Sequence, residues 1–271
     1  MRRSRPLALF APVALIAAIG AFAIALPASG ASGDTVTAEA PPVGPFTRVE
    51  VSGHAHVVLV QGDKEAVTVE ASPKAGARVR VRSSNGRLTI DTHEGDRGIN
   101  LLGGSRPPTV TVYFRQLEEL ELSGAVKVRG DALRADRLRV DASGAATVEI
   151  DQLQVSSLVF DASGAIKAEL AGTATDQETS ISGAAVYRAG RLKSQSTSIS
   201  VSGAGKAIVN AERKLDAKIT GAGAVEYFGD PAVTQRVSGA GKITRRTSAS
   251  VEPARMRASA QALCPFAAGS S

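Results

Sequence analysis

The sequence predicts an all-β fold, a parallel β-helix (solenoid) of about 18–20 residues per coil. Three observations predict it. First, a short unit recurs as Ser123-Gly124-Ala125, Ser143-Gly144-Ala145, Ser163-Gly164-Ala165, Ser182-Gly183-Ala184, Ser202-Gly203-Ala204 and Ser238-Gly239-Ala240. Thr220-Gly221-Ala222 is the same unit with Thr for Ser, and the Gly-to-Gly steps are 20, 20, 19, 20, 18 and 18 residues. Second, the apolar residues alternate with period two. Leu138, Val140 and Ala142 interleave with Arg137, Arg139 and Asp141, and Leu158, Phe160 and Ala162 repeat them one period later. Third, equivalent positions share a character. Immediately before each Ser or Thr stand Leu122, Ala142, Ala162, Ile181, Val201, Ile219 and Val237, all apolar. One residue earlier stand Glu121, Asp141, Asp161, Ser180, Ser200, Lys218 and Arg236, all polar. One column faces a core and the next faces water, as in coils that bury their inner face only against their neighbours.

The elements follow in chain order. Residues 1–30 have the layout of a secretory signal peptide: basic MRRSRP, the uncharged run LALFAPVALIAAIGAFAIAL, then small residues suited to cleavage after Gly30 or Ala31. An uncleaved anchor is the alternative, because an apolar run of this length spans a bilayer. Pro12 and the small residues favour cleavage, and no Cys stands directly after the run to take a lipid. The remainder is therefore expected to be exported, to the periplasm, cell surface or medium. Residues 31–45 carry no periodicity and several Pro, and are read as a linker. The β-helix domain is placed at 46–246. In its first part, Gln61-Gly62-Asp63-Lys64 is a turn, ARVRVRSSNGRLTIDT is a hairpin turning at Asn85-Gly86, and TVTVYF is a strand. Val51-Ser52-Gly53-His54 is a degenerate copy of the repeat, and HEGDRGINLLGGSRPP, from His93 to Pro108, is an edge loop expected to carry binding specificity. Residues 247–271 form a polar tail, and the lone Cys264 lies there without a partner for an internal disulfide.

Within each coil the unit reads as a corner between two short strands. Gly suits a bend where φ is positive or where a Cβ would strike the stacked backbone. Ala is expected inside a narrow corner, and Ser or Thr is expected to bond backbone groups that the bend leaves unpaired. Gly124, Gly144, Gly164, Gly183, Gly203, Gly221 and Gly239 are thus structural corners. A ladder of Ser hydroxyls used for binding is the competing reading, but shape alone accounts for all three residue types.

Composition narrows the function. Aromatic residues make up 4% of the chain and Trp is absent, so the core is expected to be thin and aliphatic. The formal charge of +6 includes Arg2, Arg3 and Arg5 of the signal, and removing them leaves +3. No basic run with interleaved aromatics remains, so nucleic acid is not an expected partner. His54-x-His56 lacks further metal ligands at a recognisable spacing; His93, Asp63 and Glu65 are the nearest candidates. Asp141 and Asp161 stack in adjacent coils and could approach Ca²⁺, but their column continues as Ser180, Ser200, Lys218 and Arg236. GAGKA, GAGAV and GAGKI lack the Lys-Ser/Thr ending of a phosphate loop, and no Gly-x-Ser-x-Gly occurs. Neither a cofactor, a metal nor a catalytic set is expected.

The segments FTRVEVSGHAHVVLVQGD, GRLTIDT, TVTVYFRQLEELELSGAVKV and ITGAGAVEYFGDPAVTQRVSGAGKI resemble the auto-transporter adhesin head GIN domain family. The resemblance covers about residues 46 to 245. It implies a right-handed β-helix in an exported bacterial protein and, through the family name, adhesion. The expected function is that of a non-enzymatic surface or envelope interaction module with a glycan or protein ligand. Contact with membrane is expected only through an uncleaved N-terminal segment. The alternatives are a polysaccharide-active β-helix enzyme or an envelope assembly or stress scaffold. Sugar sites favour aromatic platforms, and the part after the signal holds only five Phe and three Tyr, with Tyr187 and Tyr227 phased inward.

Overall fold

The computed structural model describes residues 22–23, 36–39, 43–71, 79–92 and 107–247. Two short strands come first, β1 (Phe22–Ala23) and β2 (Val36–Glu39). The solenoid proper opens with β3 (Arg48–Gln61), whose apolar residues Val49, Val51, Ala55, Val57 and Leu59 are buried. Four shorter strands then leave the regular path: β4 (Ala66–Ala71), β5 (Val79–Ser84), β6 (Arg87–Thr92) and β7 (Thr109–Phe114). β5 and β6 form the expected antiparallel hairpin. Its turn has Asn85 at φ 51 and Gly86 at φ 73, the positive pair that a two-residue turn between twisted strands requires. β6 and β7 each return to lie parallel on β3, with Ile90 opposite Val51 and Val110 opposite Val57. β4 pairs antiparallel with β7, and β2 adds antiparallel to β4. Part of the segment read as a linker is therefore an edge strand, whose Val-Thr-Ala-Glu alternation runs for only four residues.

From here the chain winds regularly through β8 (Glu119–Gly144), β9 (Thr147–Gly164), β10 (Lys167–Gly183), β11 (Val186–Gly203) and β12 (Lys206–Gly221). β13 (Ala224–Phe228), β14 (Ala232–Ser238) and β15 (Lys242–Arg245) complete it. Every pairing among these strands is parallel, and the register matches the repeat unit for unit. Val51-Ser52-Gly53 stacks on Leu122-Ser123-Gly124, so the degenerate copy is the first corner. The fold is thus an all-β solenoid with parallel coils. The coils of β8 to β12 also hold a third paired run after the two anticipated strands: Leu133 lies opposite Leu153 and Ala135 opposite Val155, with their side chains inward.

The core is mainly aliphatic, with Phe46, Phe114, Phe160 and Tyr187 as its largest buried rings. Six of the seven residues expected to stack inside are buried, but Val237 is 46% exposed. It lies on β14, which pairs on one side with β12 and carries no further coil among the described residues. A solenoid residue is buried only when coils lie on both sides of it. Tyr187 and Tyr227 do lean inward, Tyr187 fully and Tyr227 in part.

Beneath β10 and β11 the interior turns polar. Gln177, Thr179, Ser194 and Thr197 are all buried. Gln177 donates through Nε2 to the Tyr187 hydroxyl at 2.8 Å, and Ser194 Oγ donates to Gln177 Oε1 at 2.8 Å. Burial pushes the Tyr187 phenol well above its ordinary range, against the lowering effect of its bonds to Thr179 and Gln177. Thr197 Oγ1 is buried without a partner among the described residues.

Candidate functional site

The seven corner glycines form one column, with φ between 85 and 118 at each. The Ala N–H of one coil donates to the Gly carbonyl of the coil before it, as from Ala145 to Gly124 at 2.8 Å and from Ala204 to Gly183 at 3.1 Å. A Cβ on Gly144, Gly183, Gly203 or Gly221 would stand 2.8 Å from that same carbonyl oxygen. The backbone ladder therefore continues around the bend, and it leaves no room for a side chain.

Two details of the corner differ from expectation. The Ala residues lie outside: Ala125, Ala145, Ala165, Ala184, Ala204 and Ala222 are exposed, and the next residue turns inward, as Val126, Ala146 and Ile166 do. The positive φ at Gly delays the return to the core by one residue. The hydroxyls also bond the backbone less than expected. Among the described residues the seven units give one such bond, from Ser143 Oγ to the Leu122 carbonyl at 3.2 Å. The Ala-to-Gly ladder already pairs the groups that a hydroxyl would have served.

Beside this column runs a groove of about 540 Å³, lined along its length by Glu50, Glu121, Asp141 and Asp161 and by serines of the corners, including Ser143 and Ser163. In-register stacking assembles it, since Glu50 lies opposite Glu121 and Asp141 opposite Asp161. Two arginines hold the acids in place. Arg87 reaches Glu50 at 3.3 Å, Glu121 at 3.1 Å and Glu119 at 3.9 Å. Arg139 binds Asp141 through Nε at 2.8 Å and Nη2 at 3.0 Å, and Nη2 also reaches Asp161 at 2.6 Å. Both guanidinium groups are held more firmly protonated than usual, Arg87 chiefly by Glu50 and Arg139 chiefly by Asp141. Asp161 is also raised, which in an acid disfavours the charged form. Burial raises its pKa, Arg139 opposes that, and the neighbouring Asp141 and Glu178 charges add to it. The groove therefore presents four carboxylates against two guanidinium groups, with hydroxyls along one wall. Arg139 occupies the space between Asp141 and Asp161 in which the sequence had suggested room for Ca²⁺.

His54 and His56 are exposed on β3, opposite Ala125 and Lys127. No group of three or more His, Cys, Asp or Glu among the described residues is arranged to hold a metal ion. His93 and most of the edge loop, Cys264 and the 248–271 part of the tail lie outside the described residues, as does most of the signal segment. Composition gave no direct sign of Arg87 and Arg139 as the groove's organisers. Stacking the repeats would have found Arg139, two residues before Asp141, but Arg87 arrives from the irregular hairpin.

A family model described as "Putative auto-transporter adhesin, head GIN domain" matches residues 45–231. Among solved structures, a "putative adhesin" from Bacteroides fragilis is similar with a TM-score of 0.72 at 21% identity, covering 79% of this chain and 98% of that one. A "putative adhesin" from Parabacteroides distasonis gives 0.63 at 21% identity, over 79% and 98%. A "putative lipid binding protein" from the same species gives 0.62 at 18%, over 80% and 98%. At these identities the likeness is one of fold, and none of the three descriptions names an enzyme. No curated protein matches the chain.

Proposed function

Because the chain belongs to the auto-transporter adhesin head GIN domain family, we propose that it is an exported, non-enzymatic interaction module of the cell surface or envelope. It binds a glycan or protein ligand along the outside of the solenoid. The groove beside the corner column carries this reading. It is concave, it continues over successive coils, and its charges are fixed by Arg87 and Arg139. A ladder of carboxylates and hydroxyls at strand spacing suits an extended ligand that meets many similar groups in turn. Export rests on the basic and apolar pattern of residues 1–30.

The test has two arms. Mass analysis of the exported protein is expected to find an N-terminus near Ala31 or Ser32, and an intact Met1 in membranes would favour an anchored form. A glycan array and a pull-down from envelope extract are then run with the wild type and with Asp141→Lys/Asp161→Lys. Ligands captured by the wild type and lost by the folded variant support the groove. Turnover of a captured polymer would contradict the non-enzymatic reading.

A further inference from the structure

On the outward face of β10, β11 and β12 three adjacent coils differ sharply in charge. β10 presents Asp176, Glu178 and Ser180, β11 presents Ser196, Ser198 and Ser200, and β12 presents Lys214, Asp216 and Lys218. The rows are in register: Asp176, Ser196 and Lys214 form one column, and Ser180, Ser200 and Lys218 another. The serine row holds the acidic and basic rows about 9.6 Å apart, two strand spacings. Among the described residues, Asp176, Glu178, Lys214 and Lys218 have no ion-pair partner. Elsewhere on this side of the solenoid the acids are paired, as Glu50, Glu121, Asp141 and Asp161 are. Asp176, Glu178, Lys214 and Lys218 are also exposed, and the short serines leave a shallow recess of about 250 Å³ between them.

We infer that this face binds a second copy of the chain through a twofold axis running along β11. Such an axis reverses the order of the coils but keeps the columns aligned. Asp176 of each copy then meets Lys214 of the other, and Ser180 meets Lys218. The β11 serines meet their own counterparts, and Glu178 opposes Asp216 but is flanked by Lys214 and Lys218. One coil further out, Asp161 faces Arg236, which continues the same column. Moving the axis one coil to β10 sets Asp176 and Glu178 against their own counterparts and Lys214 against Arg137, so the charge pattern selects β11. Five coils of about 4.8 Å and a strand run of about 20 Å give roughly 500 Å² per copy, about 1,000 Å² in all. That is the size of a weak, reversible interface whose charge pairs weaken in salt. The inference does not rest on the adhesion reading, since loss of an external ligand leaves this equilibrium in place.

Sedimentation velocity on the purified chain tests it. The wild type is expected to show a monomer–dimer equilibrium in the micromolar range that shifts to monomer in high salt. Asp176→Lys and Lys214→Asp are each expected to weaken dimerisation at least about tenfold. An equimolar mixture of the two variants, or the double variant, restores the dimer, because each Lys then meets an Asp again. The positions are exposed, and unchanged circular dichroism confirms that the variants fold. A wild type that stays monomeric at about 0.5 mM overturns the inference. So does a dimer that neither single change weakens, or a loss that mixing fails to reverse.

Discussion

Replacing Gly203 by Val tests the corner directly. Gly203 stands at φ 108, and a Cβ there would lie 2.8 Å from the Gly183 carbonyl oxygen and 3.2 Å from the Gly183 nitrogen. That carbonyl also accepts the Ala204 N–H at 3.1 Å, so moving it away sacrifices a ladder bond. A non-Gly residue held at such a φ costs about 1–3 kcal/mol, and more when β-branched. The lost bond adds about 0.5–1.5 kcal/mol. The stiffer unfolded chain returns about 0.4–1 kcal/mol. With the displaced backbone of the neighbouring coil included, the net loss is about 2–4 kcal/mol. Two controls bracket it. Gly62 has open space around its Cβ position and no positive φ, so Gly62→Ala is expected to change stability by less than about 0.5 kcal/mol. Ser202 is exposed, and its hydroxyl makes no bond among the described residues, so Ser202→Ala is expected to fall in the same range. Urea unfolding followed by circular dichroism gives all three values. A Gly203→Val midpoint equal to that of the wild type would refute the corner geometry.

Tyr187→Phe removes the acceptor of the Gln177 amide inside the core and is expected to cost about 1–3 kcal/mol. The raised Tyr187 pKa means that its contribution is complete below the unfolded value of 10.0 and is lost as pH rises toward the folded value. The variant should therefore lose less stability than the wild type in alkaline melts, and parallel curves would contradict this. Asp161 is expected to titrate above 3.8 by carbon NMR, and Asp141→Asn to bring its midpoint down; a midpoint that stays or rises counts against the stacked pair. Because its folded pKa is raised, the contribution of Asp161 to stability is present below the unfolded value and fades as pH rises through the folded one. Pectin, alginate and related acidic polymers are expected to remain uncleaved, with or without Ca²⁺. Release of unsaturated products or reducing ends, abolished by replacing Asp141 and Asp161 together, would make the protein an enzyme.

The coil path was legible because each turn repeats the same demand. A Gly carbonyl and an Ala N–H stack at every corner, and the apolar column before each Ser packs on the one beneath it. The outward placement of Ala145 and its equivalents was hidden, because a small residue suits both a narrow interior and a tight exterior. Gln177 and Thr197 continue the inward column of Leu138 and Leu158. Polar residues in that phase look like surface until the register is drawn, and Gln177 is satisfied only by Tyr187 and Ser194 arriving from elsewhere in the chain. The exposure of Val237 follows from its place in the last described coil, and period-two alternation carries no such information. Of the groove, Asp141 and Asp161 were visible as a stacked pair. Arg87 was not, because the hairpin that delivers it leaves the repeat and returns to β3 by a route that sequence spacing does not encode.

The central claim is that each Ser-Gly-Ala unit adds one coil to a stack. Spin labels measure this most directly, in a Cys264→Ser background with one label at Ser123 and the other at Ser202, Thr220 or Ser238. These positions are exposed and lie four, five and six coils apart in the stack. The account predicts backbone separations of about 19, 24 and 29 Å, each repeat adding about 4.8 Å. Separations that do not rise by that constant step from one repeat to the next would contradict it.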